Sequence, residues 1–393
     1  MPLSPLNPAL ARTFAPPVME AARCVKGIDF PADKPLINVA QAAPVDPPPE
    51  ALRRVVAEAA LNNPDAHLYG PDLGLPELRA EVAATTAAHY GGTVSADQVA
   101  ITAGCNEAFC AVMATLAGPG DEVIVPTPWY FNHKMWLDMT GVSTVALPTG
   151  PDMIPDPEHA AALMSERTRA LVLISPNNPS GAEYPAEIVR ALADLCRARG
   201  VALILDETYR DFDSRTGRPH DLFTDPDWSD TLIHLYSFSK AYRLTGHRVG
   251  AIVASRERLS EVEKFIDTVT ICPNQLGQIA ALWGMRNLSQ WVAGERAELL
   301  SRRAAMIEGF GALDGWKMLG CGGYFAYVEH PATEGSADFA RRLVREANVL
   351  CLPGTMFMPA DDPRGSRQLR IAYANVDVPR IAELMTRLAA VRP

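Results

Sequence analysis

Short runs of consecutive aliphatic residues recur along this chain, and no other feature limits its possible folds so tightly. The runs are Val99-Ala100-Ile101-Thr102, Asp121 to Val125, Leu171 to Ile174, Val201 to Leu205 and Leu232 to Tyr236. Each is short enough for a strand and lacks a polar face, so each reads as a strand buried on both sides. Segments with helical spacing lie between them, among them Asn106 to about Leu116 and Ala186 to Ala198. This alternation predicts an α/β fold: a three-layer domain whose mostly parallel sheet is covered by helices on both faces. Ligands of such sheets gather beyond the carboxyl ends of the strands, so the residues just past the runs carry the functional information.

Ser175-Pro176-Asn177-Asn178-Pro179-Ser180-Gly181 follows one run, Asp206-Glu207-Thr208-Tyr209 the next, and Ser237-Phe238-Ser239-Lys240 the third. An amide, a carboxylate, a phenol and an amine at neighbouring strand ends form a constellation of little use to a purely structural protein. Each residue has a plain alternative when read singly. Asn178-Pro179 is a turn dipeptide, Asp206 could cap the turn it begins, and Lys240 could be a solvated loop lysine. An amine at a strand end near Arg248 could instead have its pKa lowered enough to act as a nucleophile or base. Further back, Val99–Thr102 passes through Ala103-Gly104-Cys105 into a helix, presenting backbone N–H groups to an anion.

The 393 residues exceed what one hydrophobic core usually serves, so two domains are expected. A net charge of -10 argues against nucleic acid or an anionic membrane as a partner. The seven cysteines are scattered, with no CxxC pair, and read as reduced thiols of a cytoplasmic protein. No apolar run is long enough to span a bilayer, and the opening residues, without an apolar core preceded by positive charge, are not expected to act as a secretory signal. The eight histidines form no HxxxH or HExxH pair, so no metal site is expected; a GxSxG elbow and a Walker loop are also missing.

The order Tyr69, Gly104, Asn178, Asp206, Tyr209, Lys240, Arg248, Arg370 resembles the fold type I pyridoxal-phosphate enzymes, specifically a class I/II aminotransferase of the aspartate aminotransferase superfamily. The resemblance spans roughly Leu36 to Ala390. It implies pyridoxal 5′-phosphate as cofactor, with Lys240 as the Schiff-base lysine and Asp206 paired with the ring nitrogen. Asn178 and Tyr209 then reach the ring 3′-oxygen, while Gly104, Cys105, Ser237 and Arg248 hold the phosphate. Ser239 is a nearby support. Tyr130 lies on the ring face, with Trp129 as the close alternative. Arg370 clamps the substrate carboxylate, with Arg367 as a neighbouring competitor, and Ala42 and Asn178 line the substrate side. Tyr69 reaches the phosphate of the other subunit, which implies a homodimer. His133 and Lys134 either line the pocket or are solvated loop residues.

The implied reaction is ping-pong transfer of an amino group from an α-amino acid to a 2-oxo acid. A C–S β-lyase or other α,β-eliminating enzyme on the same scaffold is the alternative, since substrate orientation decides between them. Ala42 and Met358 stand where the family often has glycine, which adds bulk near the expected pocket. Members that use acidic amino acids carry a lysine where this chain has Asn106, so the preference leans towards neutral or aromatic substrates. The expected organisation is a large cofactor-binding domain over 49–285, a smaller α+β domain from 18–48 and 286–393, and an extended N-terminal arm over 1–17. A long helical stretch, Trp283 to Met306, joins the two, and Gly322-Gly323-Tyr324-Phe325 begins the small-domain sheet. A short strand is expected at Asn38-Val39-Ala40.

Overall fold

The computed structural model describes residues 4–392, so Met1 to Leu3 of the expected arm lie outside the described residues. After β1 (Ile37–Asn38), seven strands build the main sheet: β2 (Val99–Thr102), β3 (Glu122–Thr127), β4 (Ser143–Pro148), β5 (Thr168–Ile174), β6 (Ala202–Asp206), β7 (Leu232–Ser237) and β8 (Gly250–Val253). Their order is β2-β8-β7-β6-β5-β3-β4. Only β8 runs antiparallel to its neighbours, β2 and β7. Every residue of β2, β3, β7 and β8 is buried, as the aliphatic runs require of strands covered on both faces. Ile174 pairs with Asp206 and Asp206 with Leu235, so β5, β6 and β7 end at a common level.

The remaining strands are β9 (Lys317–Gly322), β10 (Phe325–Glu329), β11 (Val349–Leu350), β12 (Leu352–Pro353) and β13 (Gln368–Ala372). β12, β13, β10 and β9 form a four-stranded antiparallel sheet, while β11 pairs in parallel with β1. Phe339 and Leu343 of the helix Ser336–Ala347, with Leu384 and Leu388 of the helix Val378–Ala389, join Phe325, Val328 and Ile371 in one buried cluster. The two sheets meet at Gly181, whose φ is +72°; a side chain there would stand 2.4 Å from the carbonyl of Phe325. Glycine is the residue that tolerates both that backbone and that approach.

Several sequence expectations need correction. The proline-rich opening is not extended: Pro8 and Pro17 start the helices Pro8–Arg12 and Pro17–Cys24, because proline is pre-set for the first helical position. Thr13 then donates to Asp138 at 3.3 Å, which ties this segment to its own chain. The stretch from Trp283 to Met306 is two helices, Gln275–Asn287 and Ser289–Ala312, broken at Leu288, whose ψ of 16° leaves the helical range. The first strand lies at Ile37–Asn38, one residue earlier than expected. β4 and β8 carried no clear signal; β4 is a partly exposed edge strand and β8 is four residues long.

Beside the carboxyl end of β6, Glu207 is buried against the Tyr90 hydroxyl, His234 Nε2 at 2.9 Å and His220 Nε2 at 3.3 Å. Burial alone would raise this carboxyl, but the two histidines outweigh it and hold it well below the usual range. Burial also depresses His133 to about 3 and His234 and His330 to about 4. From pH 6.5 down to 4 the unfolded chain therefore binds protons at these imidazoles that the folded chain refuses. Below 4.5 Glu207 adds to the same trend. Stability is thus expected to rise with pH through this window and level off above it. Thermal melts between pH 4 and 8 check this; a melting temperature that does not fall on acidification would contradict it.

Candidate active site

The carboxyl ends of β5, β6 and β7 open into a cavity of about 340 Å³. Its lining includes Ala42, Cys105, Tyr130, Asn178, Asp206, Tyr209, Ser237, Lys240, Arg248 and Arg370. Ten residues singled out from seven separate stretches of sequence thus face one space.

Lys240 sits in the one-turn helix Phe238–Ala241 that begins where β7 ends, with Ser237 as its N-cap, accepting from Ser239 N at 3.3 Å. Its Nζ donates to the carbonyl of Ala42 at 2.7 Å and lies 6.0 and 5.8 Å from the ring centres of Tyr209 and Tyr324. Burial, and after it the charges of Arg248 and Arg370, bring the amine down to about 8. An amine so placed is partly unprotonated at neutral pH, as a nucleophile or base must be.

Asp206 ends β6 and is 4% exposed. Its Oδ1 accepts from the Thr208 backbone N–H at 2.9 Å, and its Oδ2 lies 3.5 Å from Cys105 Sγ and 3.8 Å from His133 Nε2. Burial raises this carboxyl above its usual range, and the donors from Thr208 and Cys105 work against the rise. His133 is buried in the helix Phe131–Thr140 with its ring stacked on Phe109 at 3.8 Å, not solvated in a loop. Lys134 pairs with Asp138 and faces away from the cavity, over the Trp129 ring.

Arg370 comes from the middle of β13 and is 2% exposed. Its Nη1 donates to Asn178 Oδ1 at 3.0 Å and its Nη2 to the carbonyl of Ala40 at 2.5 Å, while its Nε has no partner. The rings of Phe325 and Phe357 lie 4.9 and 5.0 Å from the guanidinium carbon. No carboxylate pairs with it among the described residues. Burial lowers its pKa to about 10. A buried guanidinium without a counter-charge is costly, and an anionic ligand would relieve that cost.

A second uncompensated guanidinium closes the other end. Arg248 Nη1 donates to the carbonyl of Thr245 at 3.0 Å and reaches Ser239 Oγ at 3.5 Å, and no carboxylate pairs with it among the described residues. It lies against Gly104, the N-cap of the helix Cys105–Leu116, whose φ is +88°. A Cβ at Gly104 would stand 2.2 Å from Arg248 Nη2. The helix N-terminus and the guanidinium thus face the same point, a natural anion site.

Other candidates sit elsewhere. Tyr69 is 79% exposed and does not line the cavity of its own chain. Trp129 is packed in the core beneath, with Phe109 and Val125, whereas Tyr130 faces the cavity and donates to Asn106 at 3.3 Å. Arg367 donates to the carbonyls of Ala332 and His330, away from the site. Met358 lines a different cleft, beside Met153 and Arg364, so its bulk does not reach this cavity. Val18, Gln41 and Asn132 also line the site, and no sequence signal marked them. Val18 belongs to a helix that the proline-rich composition had disguised.

Residues 31–388 match the family described as "Aminotransferase class I and II". An aromatic aminotransferase of Arabidopsis thaliana is 31% identical over 320 residues, which cover 78% of each chain. An arginine–pyruvate transaminase of Pseudomonas aeruginosa is 33% identical over 298 residues, covering 74% of this chain and 75% of the relative. The solved structure of aspartate aminotransferase from Thermus thermophilus with maleate superposes with a TM-score of 0.89 at 25% identity, over 98% of this chain and 99% of that one. The chain belongs to the class I and II aminotransferases, pyridoxal-phosphate-dependent enzymes that act on small amino and oxo acids.

Proposed function

We propose that this aminotransferase moves the amino group of a neutral or aromatic α-amino acid to a 2-oxo acid by a ping-pong route, with Lys240 as its central residue. The observation that carries this reading is the placing of the Lys240 amine, the buried Asp206 carboxyl and the uncompensated Arg370 guanidinium around one cavity. The residues present fit the cofactor. Arg248 and the Gly104 cradle offer an anion its donors and lack a protein carboxylate of their own, as a phosphate site should.

Gly104, Cys105, Ser237 and Arg248 would hold the phosphate, Asp206 the ring nitrogen, Asn178 and Tyr209 the 3′-oxygen, Tyr130 the ring face and Lys240 the aldehyde carbon. When bound, pyridoxal phosphate supplies an electron sink for the bond broken at the substrate α carbon. Arg370 binds the substrate carboxylate and orients the α carbon towards Lys240. Lys240 Nζ, with its pKa near 8, takes the α proton and hands it back on the far side of the transfer. Asp206, shut away from water, would pair with the cofactor's ring nitrogen and favour its protonated form.

The lean towards a neutral side chain rests on the lining. Lys240, Arg248 and Arg370 are the cations facing the cavity, and all three have assigned tasks. Asn106 adds an amide, and Val18, Ala42 and Ala43 add apolar surface, which leaves a second carboxylate no counter-charge in this chain. We further assign the larger domain to 49–285 and the smaller to 18–48 and 286–393, and place the enzyme in the cytoplasm. A homodimer is supported by Tyr69, which stands exposed with Leu61, Leu68, Val269 and Ile271. Gln275 Nε2 donates to the carbonyls of Asp65 and Leu68, both at 2.8 Å, which fixes the loop that carries Tyr69.

Five outcomes test the reading. Lys240→Ala should lose the visible absorbance of the purified enzyme and roughly 10⁴-fold or more in turnover. Arg370→Lys, which cannot form a two-pronged carboxylate contact, should lower kcat/KM about 100-fold for every amino acid accepted. Gly104→Ala should weaken pyridoxal phosphate binding about tenfold or more while the fold survives, because both the backbone and the Arg248 guanidinium must give way. Capture of pyridoxal phosphate by the cofactor-free protein should quicken as pH rises through about 8 and then level off, since the amine reacts only when unprotonated. In a donor comparison of phenylalanine, methionine, alanine and aspartate, a clear preference for aspartate would refute the neutral lean.

A further inference from the structure

We propose that the side chain of Cys105 is a positioning residue for Asp206, its S–H donating to Oδ2 and fixing both the plane and the ionised state of that carboxylate. The proposal rests on the reading of Asp206 as the partner of the cofactor ring nitrogen.

Cys105 is the first residue of the helix Cys105–Leu116 and is 9% exposed. Its Sγ lies 3.5 Å from Asp206 Oδ2, within reach for a thiol donor, while the Thr208 N–H holds Oδ1 at 2.9 Å. Two donors from two different segments therefore grip the two oxygens, and together they fix a carboxylate plane that a single contact would leave free to turn. His133 Nε2 is 3.8 Å from Oδ2, beyond hydrogen-bonding distance, and its ring is held by the stack on Phe109. Of these two side chains beside Oδ2, only the thiol is near enough to donate.

The carboxylate has need of such a donor. Burial favours its neutral form, and a protonated carboxyl cannot pair with a protonated ring nitrogen. Hydrogen bonds to the charged form oppose this. The thiol keeps its own proton, because burial and then the neighbouring Asp206 charge push it well above the usual thiol range. It is therefore always a donor here. The plain alternative is packing: Cys105 shares an apolar cluster with Ala108, Phe109 and Val125, where sulfur fills space. Valine and serine separate the two roles. Valine fills the space and cannot donate; serine donates and fills less.

The test compares wild type, Cys105→Val, Cys105→Ser and Cys105→Ala. Each is stripped of cofactor, its melting temperature is taken, and its equilibrium affinity for pyridoxal phosphate is measured by fluorescence quenching. Cys105→Val should bind roughly fivefold more weakly than wild type with little change in the cofactor-free melting temperature, and Cys105→Ser should stay within about twofold of wild type. Should valine prevent folding, alanine is the variant that removes the donor without added bulk, and the same loss is expected. Valine and alanine variants that bind as tightly as wild type, or a serine variant as weak as they are, would overturn the proposal. A wild-type protein that takes up no pyridoxal phosphate would overturn the functional reading, and the proposal with it.

Discussion

The guanidinium of Arg370 ties together three parts of the chain that are far apart in sequence. It belongs to β13 of the four-stranded sheet, donates to Asn178 beyond β5 of the seven-stranded sheet, and donates to the carbonyl of Ala40. The amine of Lys240 reaches the same early segment at Ala42. The Ala40–Ala42 segment is thus held by two cations rather than by a ladder of strand hydrogen bonds. Arg370 is buried and Lys240 half-buried, so the contacts that assemble the cavity also leave it positively charged.

That imbalance is the main electrostatic fact of the site. Three cations line the cavity and Asp206 is the one acid among the described lining residues. Arg248 and Arg370 repel a proton from Lys240, which, after burial, is why its amine is brought to about 8. A cavity with this balance favours anionic occupants at two ends. The phosphate of a cofactor and the carboxylate of an amino acid would be such a pair, one for Arg248 and one for Arg370. The cavity's single buried carboxylate, Asp206, lies beside the Cys105 thiol and the Thr208 N–H.

Much of this was legible in the sequence because parallel strands of matched length end at one level. Once Leu171–Ile174, Val201–Leu205 and Leu232–Tyr236 are read as buried strands, Asn178, Asp206 and Lys240 are bound to be neighbours. Arg370 came from resemblance to a family, since nothing local in Gln368–Ala372 points its side chain at a site over 100 residues away in sequence. What stayed hidden has physical reasons. Val18 was masked by prolines that start a helix instead of preventing one. His133 reads as a polar surface residue, and only the tertiary stack on Phe109 makes it a buried neighbour of Asp206. The break at Leu288 leaves no proline or glycine to announce it. The Glu207 network was unseen because its partners, Tyr90, His220 and His234, come from three separate elements.

The central claim is that one lysine, at the end of β7, is the point at which the chain holds its cofactor. Borohydride reduction of the protein loaded with pyridoxal 5′-phosphate, followed by digestion and mass spectrometry, reads this directly. The account predicts one stable pyridoxyl adduct per chain, on Lys240. An adduct on another lysine, or a reduced protein that carries none, would contradict it.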